Sequence, residues 1–149
     1  MRYQTGDIWD LHVRHSGWIV IPTNTTIRQD GLAVMGAGLA KEAATKYPHL
    51  PKTLASHIRH FKERPYIDYP IICLPTKHNW RTGSNMDLIE QGCRELMELD
   101  RILSTISRPD LIFLPTIGCG LGGLNWERQV RPVVDSILTP DRFVLVERP

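Results

Sequence analysis

Two glycine-rich loops, each following an apolar run, most constrain what this 149-residue chain can fold into. The first spans Met35 to Gly38 after the run Trp18 to Pro22, and the second spans Gly118 to Gly123 after Leu111 to Pro115. Glycine lets the backbone adopt a positive φ and approach a ligand closely. Successive N–H groups in such loops can hold an anion, especially where a helix begins. Two such loops predict a ligand with two phosphates, such as a nucleotide sugar.

Segments with strand-like and helix-like patterns alternate along the chain. The strand-like segments are apolar throughout, which predicts an α/β fold whose sheet is covered by helices on both faces. Ligands of such sheets bind at the carboxyl ends of the strands, where both glycine loops and the pair Thr76 and Lys77 lie. The predicted strands are Gly17–Pro22, Tyr69–Leu74, Leu111–Leu114 and Phe143–Val146, and the predicted helices are Gly36–Tyr47, one opening at Pro51, one after Ser84 and one within Trp126–Leu138.

Two helix starts are marked by local signals. Ser84 and Asp87 resemble a capping box, so the third helix is expected to begin at Ser84 and to carry its apolar stripe to Ile106. Pro132 lies inside the last helical pattern, so this helix either starts near Arg131 after a turn or kinks at the proline.

Composition predicts one globular domain over residues 1–149, with 42% hydrophobic and 23% charged residues. The net charge of +2 is too small to predict a nucleic-acid partner by itself. Cys73, Cys93 and Cys119 are odd in number and lack CxxC spacing, which favours a reducing compartment over disulfides or a zinc site. The apolar runs are too short to span a bilayer, and no signal peptide is evident. We expect a cytoplasmic monomer without membrane contact, bound metal or cofactor.

Lys77 is the candidate reactive group, because it stands beside the predicted crevice two residues after Pro75. A lysine amine there could attack an anomeric carbon and form a Schiff base. The alternative is an ordinary surface lysine. Gly118, Gly120 and Gly123 satisfy the pattern GxGxxG, but too little chain follows for a dinucleotide-binding fold.

Polar residues near the other strand ends have two interpretations each. Asp7 could accept a hydrogen bond from an adenine amino group or cap a turn. Asn24 could bind a ribose hydroxyl or serve as a turn residue. Trp80 could stack on a base while Lys77 and Arg81 contact phosphate, or the segment 77–81 is an ordinary solvated loop.

Taken together, these residues resemble a macrodomain. The carriers of the resemblance are Gly6-Asp7-Ile8, Asn24 after a strand, the loop Met35 to Gly38 entering a helix, and Ile117 to Leu121 before Trp126. The chain is most similar to the ADP-ribosyl glycohydrolase branch that contains the DNA-directed antitoxin macrodomains and the terminal ADP-ribose (glutamate) glycohydrolase. Within that branch, Leu74 to Lys77 followed by Trp80 and Arg81 is especially like the DNA-directed members.

The resemblance implies a three-layer α/β/α sandwich around a mixed sheet, with an ADP-ribose cleft. Asp7 and Ile8 would contact the adenine, Asn24 would face the distal ribose, and Lys77 would be the catalytic lysine. The remaining ligand-binding residues implied by the resemblance are Met35, Gly36, Ala37, Gly38, Leu39, Thr76, Ile117, Gly118, Cys119, Gly120, Leu121 and Gly122.

The chain departs from the family pattern at two places. Gly122 stands where glutamate-directed members carry a catalytic aspartate, whereas DNA-directed members share the glycine, so Lys77 would act alone. The segment Thr25 to Ala33 is longer than in close relatives and contains Arg28, Gln29 and Asp30. It would border the distal ribose and could change which adduct fits.

The resulting expectation is a hydrolase that removes ADP-ribose from an acceptor by attack at the distal ribose anomeric carbon. The expected acceptor is a base in single-stranded DNA, contacted by His78, Trp80 and Arg81. The alternatives are an ADP-ribose 1″-phosphate phosphatase, a glutamate-linked ADP-ribose hydrolase, and a non-catalytic binder of ADP-ribose or a related signalling nucleotide. A domain with no ligand is the remaining alternative.

Overall fold

A mixed six-stranded sheet forms the centre of the computed structural model, which describes residues 1–149. The strands are Arg2–Thr5 (β1), Trp18–Asn24 (β2), Tyr66–Asp68 (β3), Ile71–Lys77 (β4), Ile112–Leu114 (β5) and Phe143–Glu147 (β6). Their order across the sheet is β1-β6-β5-β2-β4-β3. Every neighbouring pair is parallel except β3 with β4, which is antiparallel.

Helices cover both faces of this sheet. They are Ile8–Arg14 (α1), Gly38–Lys46 (α2), Leu50–Phe61 (α3), Met86–Thr105 (α4) and Arg131–Ile137 (α5). One apolar core joins the sheet to α1, α2 and α3, and a second joins the opposite face to α4 and α5. The predicted three-layer α/β/α sandwich with a mixed sheet is confirmed. No helix combines the length and the apolar composition that crossing a bilayer requires.

The central strand β2 shows why its sequence is apolar without alternation. Successive side chains of a strand point to opposite faces of the sheet. Ile19 and Ile21 therefore lie in the core with α1 to α3, while Trp18 and Val20 lie in the core with α4 and α5. Since both faces are covered, Trp18 to Ile21 and Thr23 are buried, and only Pro22 and Asn24 near the carboxyl end are partly exposed.

The predicted strand Tyr69–Leu74 is wrong at both ends. Tyr69 and Pro70 form the turn between β3 and β4, and the Tyr69 ring packs edge-on against Trp18 with 4.8 Å between ring centroids. The strand β4 continues to Lys77, because its backbone stays paired with β2 as far as Asn24. The candidate lysine is consequently the last residue of a buried strand.

The predicted capping box at Ser84 is also wrong. Asn85 is the N-cap of α4, and its side chain accepts a hydrogen bond from Leu88 N at 3.2 Å. The N–H of Ser84 instead donates to Gly122 O at 2.9 Å, so this residue belongs to the loop that precedes the helix. The helix ends at Thr105, and Ile106 beyond it is exposed.

The helix that contains Pro132 starts at Arg131, which confirms one of the two predicted alternatives. The proline lies in the first turn, where its missing N–H costs no helical hydrogen bond. A single π-helical turn, Trp126–Val130, precedes it. The elements β1 and α1 were not predicted. The strand β1 is exposed at every position and carries no apolar pattern.

Candidate active site

A cavity of about 1040 Å³ opens at the carboxyl ends of β2, β4 and β5. Such a position is where ligands bind in open α/β sheets, because loops from several strand ends converge there. Its walls are the two glycine loops, the ends of the strands and the segment 78–85, here called the tryptophan loop. The predicted residues that line it are Asn24, Met35, Gly36, Ala37, Gly38, Leu39, Thr76, Lys77, Trp80, Arg81, Gly118, Cys119, Gly120, Leu121 and Gly122.

The first glycine loop brings a helix start to the cavity. Ala37 is the N-cap of α2 and offers no side-chain hydrogen bond to the first turn, so the N–H groups at this helix start lack a side-chain partner. Gly38 has a φ of 57°, and a Cβ atom on Gly36 or Gly38 would meet nothing within 4 Å. The backbone here is open to an anion, while the buried Met35 side chain anchors the loop to the core.

The second glycine loop is packed rather than open. Gly118 has a φ of 81°, and residues Gly120–Gly122 form one 3-10 turn. A hydrogen bond from Ser84 N to Gly122 O ties this loop to the tryptophan loop. Ile117 was predicted to bind ligand, but its side chain is fully buried in the core beneath the loop and does not line the cavity.

Cys119 lines the cavity from the second glycine loop and is partly buried. Its Sγ lies 3.6 Å from Ile117 O, and burial raises the pKa of its thiol. A raised pKa keeps the sulfur as a neutral thiol near neutral pH, which is opposite to what a nucleophilic cysteine needs. The Cys119 thiol is therefore suited to packing beneath the loop and not to nucleophilic attack.

Lys77 and Asn24 lie side by side at the ends of β4 and β2, where a register irregularity after Thr23 brings them opposite each other. The Asn24 amide holds the following turn, donating to Val34 O at 3.2 Å and accepting from Thr26 N at 3.0 Å. The turn role that the sequence left open for Asn24 is thus present. Lys77 is half-buried and takes part in no ion pair.

The cavity wall is strongly positive. Four cationic side chains line it, and no aspartate or glutamate does. Charged hydrogen bonds from such groups favour phosphate, and a concave surface of one sign concentrates an anionic ligand. The four cations are Arg28, Lys77, Arg81 and Arg148.

The tryptophan loop places an aromatic ring and a cation at the cavity mouth. The Arg81 guanidinium carbon lies 5.0 Å from the centroid of the Trp80 ring, and the ring is about half exposed. His78 does not line the cavity. Its ring pairs with Glu63, and its carbonyl oxygen accepts from Thr25 Oγ1, so its predicted contact with an acceptor is not supported.

Asp7 and Ile8 also lie outside the main cavity. The Asp7 carboxylate caps α1, accepting hydrogen bonds from Trp9 N at 2.9 Å and Asp10 N at 3.4 Å. Ile8 lines a small adjoining pocket of about 60 Å³ together with Leu39 and Arg148. Because the main cavity shares Leu39 and Arg148, the two spaces are neighbours.

Sequence reasoning missed part of the lining. Arg148 directly follows the end of β6, and Pro22, Thr23, Pro115 and Thr116 lie at or within two residues of the ends of β2 and β5, so the strand-end rule that pointed to Lys77 would have found them. The others are brought in by tertiary packing. The missed lining residues are Pro22, Thr23, Val34, Ala40, Thr82, Gly83, Ser84, Pro115, Thr116 and Arg148.

The architecture is that of a macrodomain fold, which confirms the fold that the resemblance in the sequence implies. No protein-family model matches the chain. The macrodomain of Thermus aquaticus DarG superposes with a TM-score of 0.73 at 23% identity, covering 99% of this chain and 97% of that one. Thermosipho africanus DarTG in complex with ADP-ribose gives a TM-score of 0.74 at 23% identity, covering 100% of this chain and 42% of that one.

The chain is also similar in sequence to two curated proteins. The DNA ADP-ribosyl glycohydrolases of Mycobacterium tuberculosis and Mycobacterium bovis are 28% identical to the chain over 129 residues. The match covers 73% of this chain and 36% of each relative, so the chain spans only about a third of the length of these curated relatives.

Proposed function

We propose that this chain binds ADP-ribose in the cavity and hydrolyses the bond between its distal ribose and a DNA base. The observation that carries the proposal is Lys77, which lines the same cavity as both glycine loops, together with three arginines and no carboxylate. The similarity to curated DNA ADP-ribosyl glycohydrolases supports the reaction, and a macrodomain-fold neighbour in complex with ADP-ribose supports the ligand.

The proposed ligand runs along the strand ends. Its adenine lies toward the small pocket lined by Ile8. The neighbouring residue Asp7 lies at the edge of the adenine. Its diphosphate lies between the first glycine loop, with the start of α2, and the second glycine loop. Its distal ribose lies against Asn24 and Lys77, which face each other at the ends of two neighbouring strands.

In the proposed reaction the Lys77 amine nitrogen bonds to the anomeric carbon as the bond from that carbon to the base breaks. The base leaves with the bonding electrons and takes up a proton. The first product is a glycosylamine, and its nitrogen lone pair forms the Schiff base as the bond from the anomeric carbon to the ring oxygen breaks and that oxygen takes up a proton. Water then adds to the Schiff base, the amine leaves, and the ring closes again, which returns free Lys77 and releases ADP-ribose. Electrostatic stabilisation by the ammonium form of Lys77 is the alternative role of the same residue.

The surroundings of Gly122 support a mechanism without an aspartate. A Cβ atom on Gly122 would lie 2.2 Å from Ser84 Oγ and 3.1 Å from Ser84 Cβ, so a side chain at this position would require the serine to move. Lys77 is then the one residue of the cavity wall with an ionisable nucleophile that is not a raised-pKa thiol.

The decisive experiment measures ADP-ribose release from an oligonucleotide carrying one ADP-ribosylated base. Lys77→Ala should lower the rate by at least about 100-fold, the range of a positioned catalytic group. Calorimetric titration should show that the variant still binds ADP-ribose. Lys52→Ala removes an exposed lysine of α3 that does not line the cavity, and it should behave as the unmodified protein.

The same substrates separate the alternatives. Full activity in Lys77→Ala would refute the lysine mechanism. Release from glutamate-linked ADP-ribose but never from DNA, or phosphate release from ADP-ribose 1″-phosphate alone, would refute the acceptor. Binding without any release would identify a non-catalytic binder, and no binding would refute the ligand.

We infer in addition that residues 1–149 act as one domain and as a monomer in the cytoplasm. Both cores lie against the same sheet, which supports one cooperative unit. The three cysteines are free thiols, which supports a reducing compartment. Light scattering after size exclusion tests the monomer, and fractionation of cells tests the compartment.

A further inference from the structure

The segment Thr25 to Ala33, here called the insert loop, has an internal structure of its own. Ile27 and Ala33 form an antiparallel bridge. Between them, Arg28 N donates to Leu32 O at 2.7 Å, and Gly31 N donates to Arg28 O at 2.9 Å. These bonds close a tight turn, so the position of the Arg28 backbone is set by the loop itself.

The insert loop is also fastened at both sides. From α3, Arg59 Nη2 donates to Gly31 O at 3.1 Å. From the tryptophan loop, Trp80 N donates to Thr26 Oγ1 at 3.1 Å. The insert loop therefore joins helix α3 to the tryptophan loop and forms a fixed part of the cavity mouth.

Arg28 projects from this turn toward the cavity and lines it. Its Nη2 pairs with Asp30 Oδ2 at 2.7 Å, and Asp30 Oδ1 accepts from Leu32 N at 3.2 Å. The guanidinium is more than half exposed, and one carboxylate engages only one edge of its five donors. Donors remain that can reach a ligand while Asp30 limits the range of orientations.

The location of Arg28 indicates which phosphate group its guanidinium can contact. The two glycine loops and the start of α2 supply donors for a diphosphate, whereas Arg28 belongs to the loop bonded to Trp80. Arg81 stacks on the same ring. The two loops joined at Thr26 and Trp80 thus contribute one aromatic ring and two cations to the cavity wall. Aromatic rings and cations together bind a base and its neighbouring backbone phosphates in a single strand.

We propose that Arg28 is a specificity-determining residue that contacts a backbone phosphate of the DNA strand next to the ADP-ribosylated nucleotide. This inference rests on the proposed function and assigns the strand-binding side of the same cavity. Arg28 thereby makes a strand a better substrate than an isolated ADP-ribosylated nucleoside, and Asp30 holds its guanidinium toward the cavity.

The test compares two substrates, an ADP-ribosylated nucleoside and the same adduct within a single-stranded oligonucleotide. Arg28→Ala should lower kcat/KM for the oligonucleotide roughly two- to fivefold, the range of one exposed charged contact. The nucleoside and free ADP-ribose lack the neighbouring backbone phosphate, so kcat/KM for the nucleoside and the Kd of ADP-ribose should change by a clearly smaller factor. The salt dependence of oligonucleotide binding should lose a slope of about 0.7, which corresponds to one phosphate on a single strand.

Two controls isolate the contact. Arg94→Ala removes an equally exposed arginine that also pairs with a carboxylate, but on α4 outside the cavity, and should change nothing. The double variant Arg28→Ala with Asp30→Asn removes both charges of the pair and keeps the net charge. A loss that persists in it reflects the missing contact rather than repulsion by an unpaired Asp30.

The outcomes are distinct. Equal losses on both substrates, with weaker ADP-ribose binding, would place Arg28 in the ADP-ribose site and overturn the inference. No loss on either substrate would overturn it as well. If the unmodified protein cleaves neither substrate, the proposed function fails, and anisotropy with an unmodified single-stranded oligonucleotide still decides whether Arg28 binds a strand.

Discussion

The two glycine loops have similar compositions but need their glycines for different physical reasons. In the first loop, a Cβ atom on Gly36 or Gly38 would meet nothing within 4 Å. In the second, a Cβ on Gly118 would lie 2.7 Å from Ile89 Cδ1, and one on Gly122 would lie 2.2 Å from Ser84 Oγ. Space is left free in the first loop, whereas in the second it is already filled at Gly118 and Gly122 but not at Gly120 or Gly123.

This difference separates ligand binding from packing. An open backbone beside an uncapped helix start is available to an anion, so we assign the first loop mainly to the ligand. The second loop forms the bond from Ser84 N to Gly122 O and rests on the core. Substitutions in the two loops should accordingly change different measured quantities.

The largest expected effect is that of Gly118→Ala. The substitution combines a φ of 81° with a contact of 2.7 Å to a fully buried isoleucine. Strain and overpacking together should lower the free energy of unfolding by about 2–4 kcal/mol. Urea denaturation measures the change.

Gly120→Ala is the matched control for that change. Gly120 has a φ of 65°, but a Cβ there would meet nothing within 4 Å. Only the strain of the left-handed conformation remains, so the expected loss is about 1 kcal/mol. Equal losses at Gly118 and Gly120 would contradict the packing explanation.

The second largest effect is expected for Gly122→Ala, because its new methyl group would collide with Ser84 Oγ. We expect a loss of about 1–3 kcal/mol in the free energy of unfolding. Ser84→Gly removes the atoms in the way and should restore part of this loss. A double-mutant cycle that gives strictly additive effects would show that the two residues are not coupled.

Gly36→Ala should weaken ligand binding and leave the free energy of unfolding almost unchanged, the opposite of the substitutions in the second loop. Because nothing surrounds the added Cβ, the free energy of unfolding should stay within about 0.5 kcal/mol. The methyl group would occupy the approach of the ligand to the backbone, so the Kd of ADP-ribose should rise about tenfold, or about 1.4 kcal/mol. Unchanged affinity in calorimetry would mean that the ligand does not approach this loop.

The smallest effect concerns thiol reactivity. Burial raises the pKa of Cys93 to about 12 and also raises the pKa values of Cys73 and Cys119. Only Cys119 is partly exposed, so a thiol reagent should modify it first, with a rate rising about tenfold per pH unit below its pKa. ADP-ribose should slow this reaction a few-fold if it covers the second loop, and no protection would limit the ligand to the first loop.

Much of the fold could be predicted from local patterns. The buried strands β2 and β5, the helix starting at Arg131 and the approach of the glycine loops to Lys77 follow from apolar runs and strand ends. The N-cap at Asn85 was misassigned to Ser84, because the pairing of Ser84 N with Gly122 O joins distant parts of the chain.

The candidate site also combines residues that local patterns predict with residues whose place only tertiary packing decides. Lys77 and the glycine loops were predicted to line one crevice and do line it, whereas Ile117 and His78 do not. Ile117 is adjacent in sequence to the second loop, but the strand that precedes the loop directs it into the core. Arg148 was missed, although its position directly after β6 follows the same strand-end rule as Lys77.

By itself the sequence determined the layered architecture and the residues whose backbone can approach a phosphate, because apolar periodicity and the freedom of glycine are local properties. Only the tertiary structure decided that Gly122 faces Ser84, that Arg28 reaches the cavity mouth, and that no carboxylate lines the wall. Those facts depend on which distant segments meet at one edge of the sheet. Contacts between such segments follow from the packing of the whole chain.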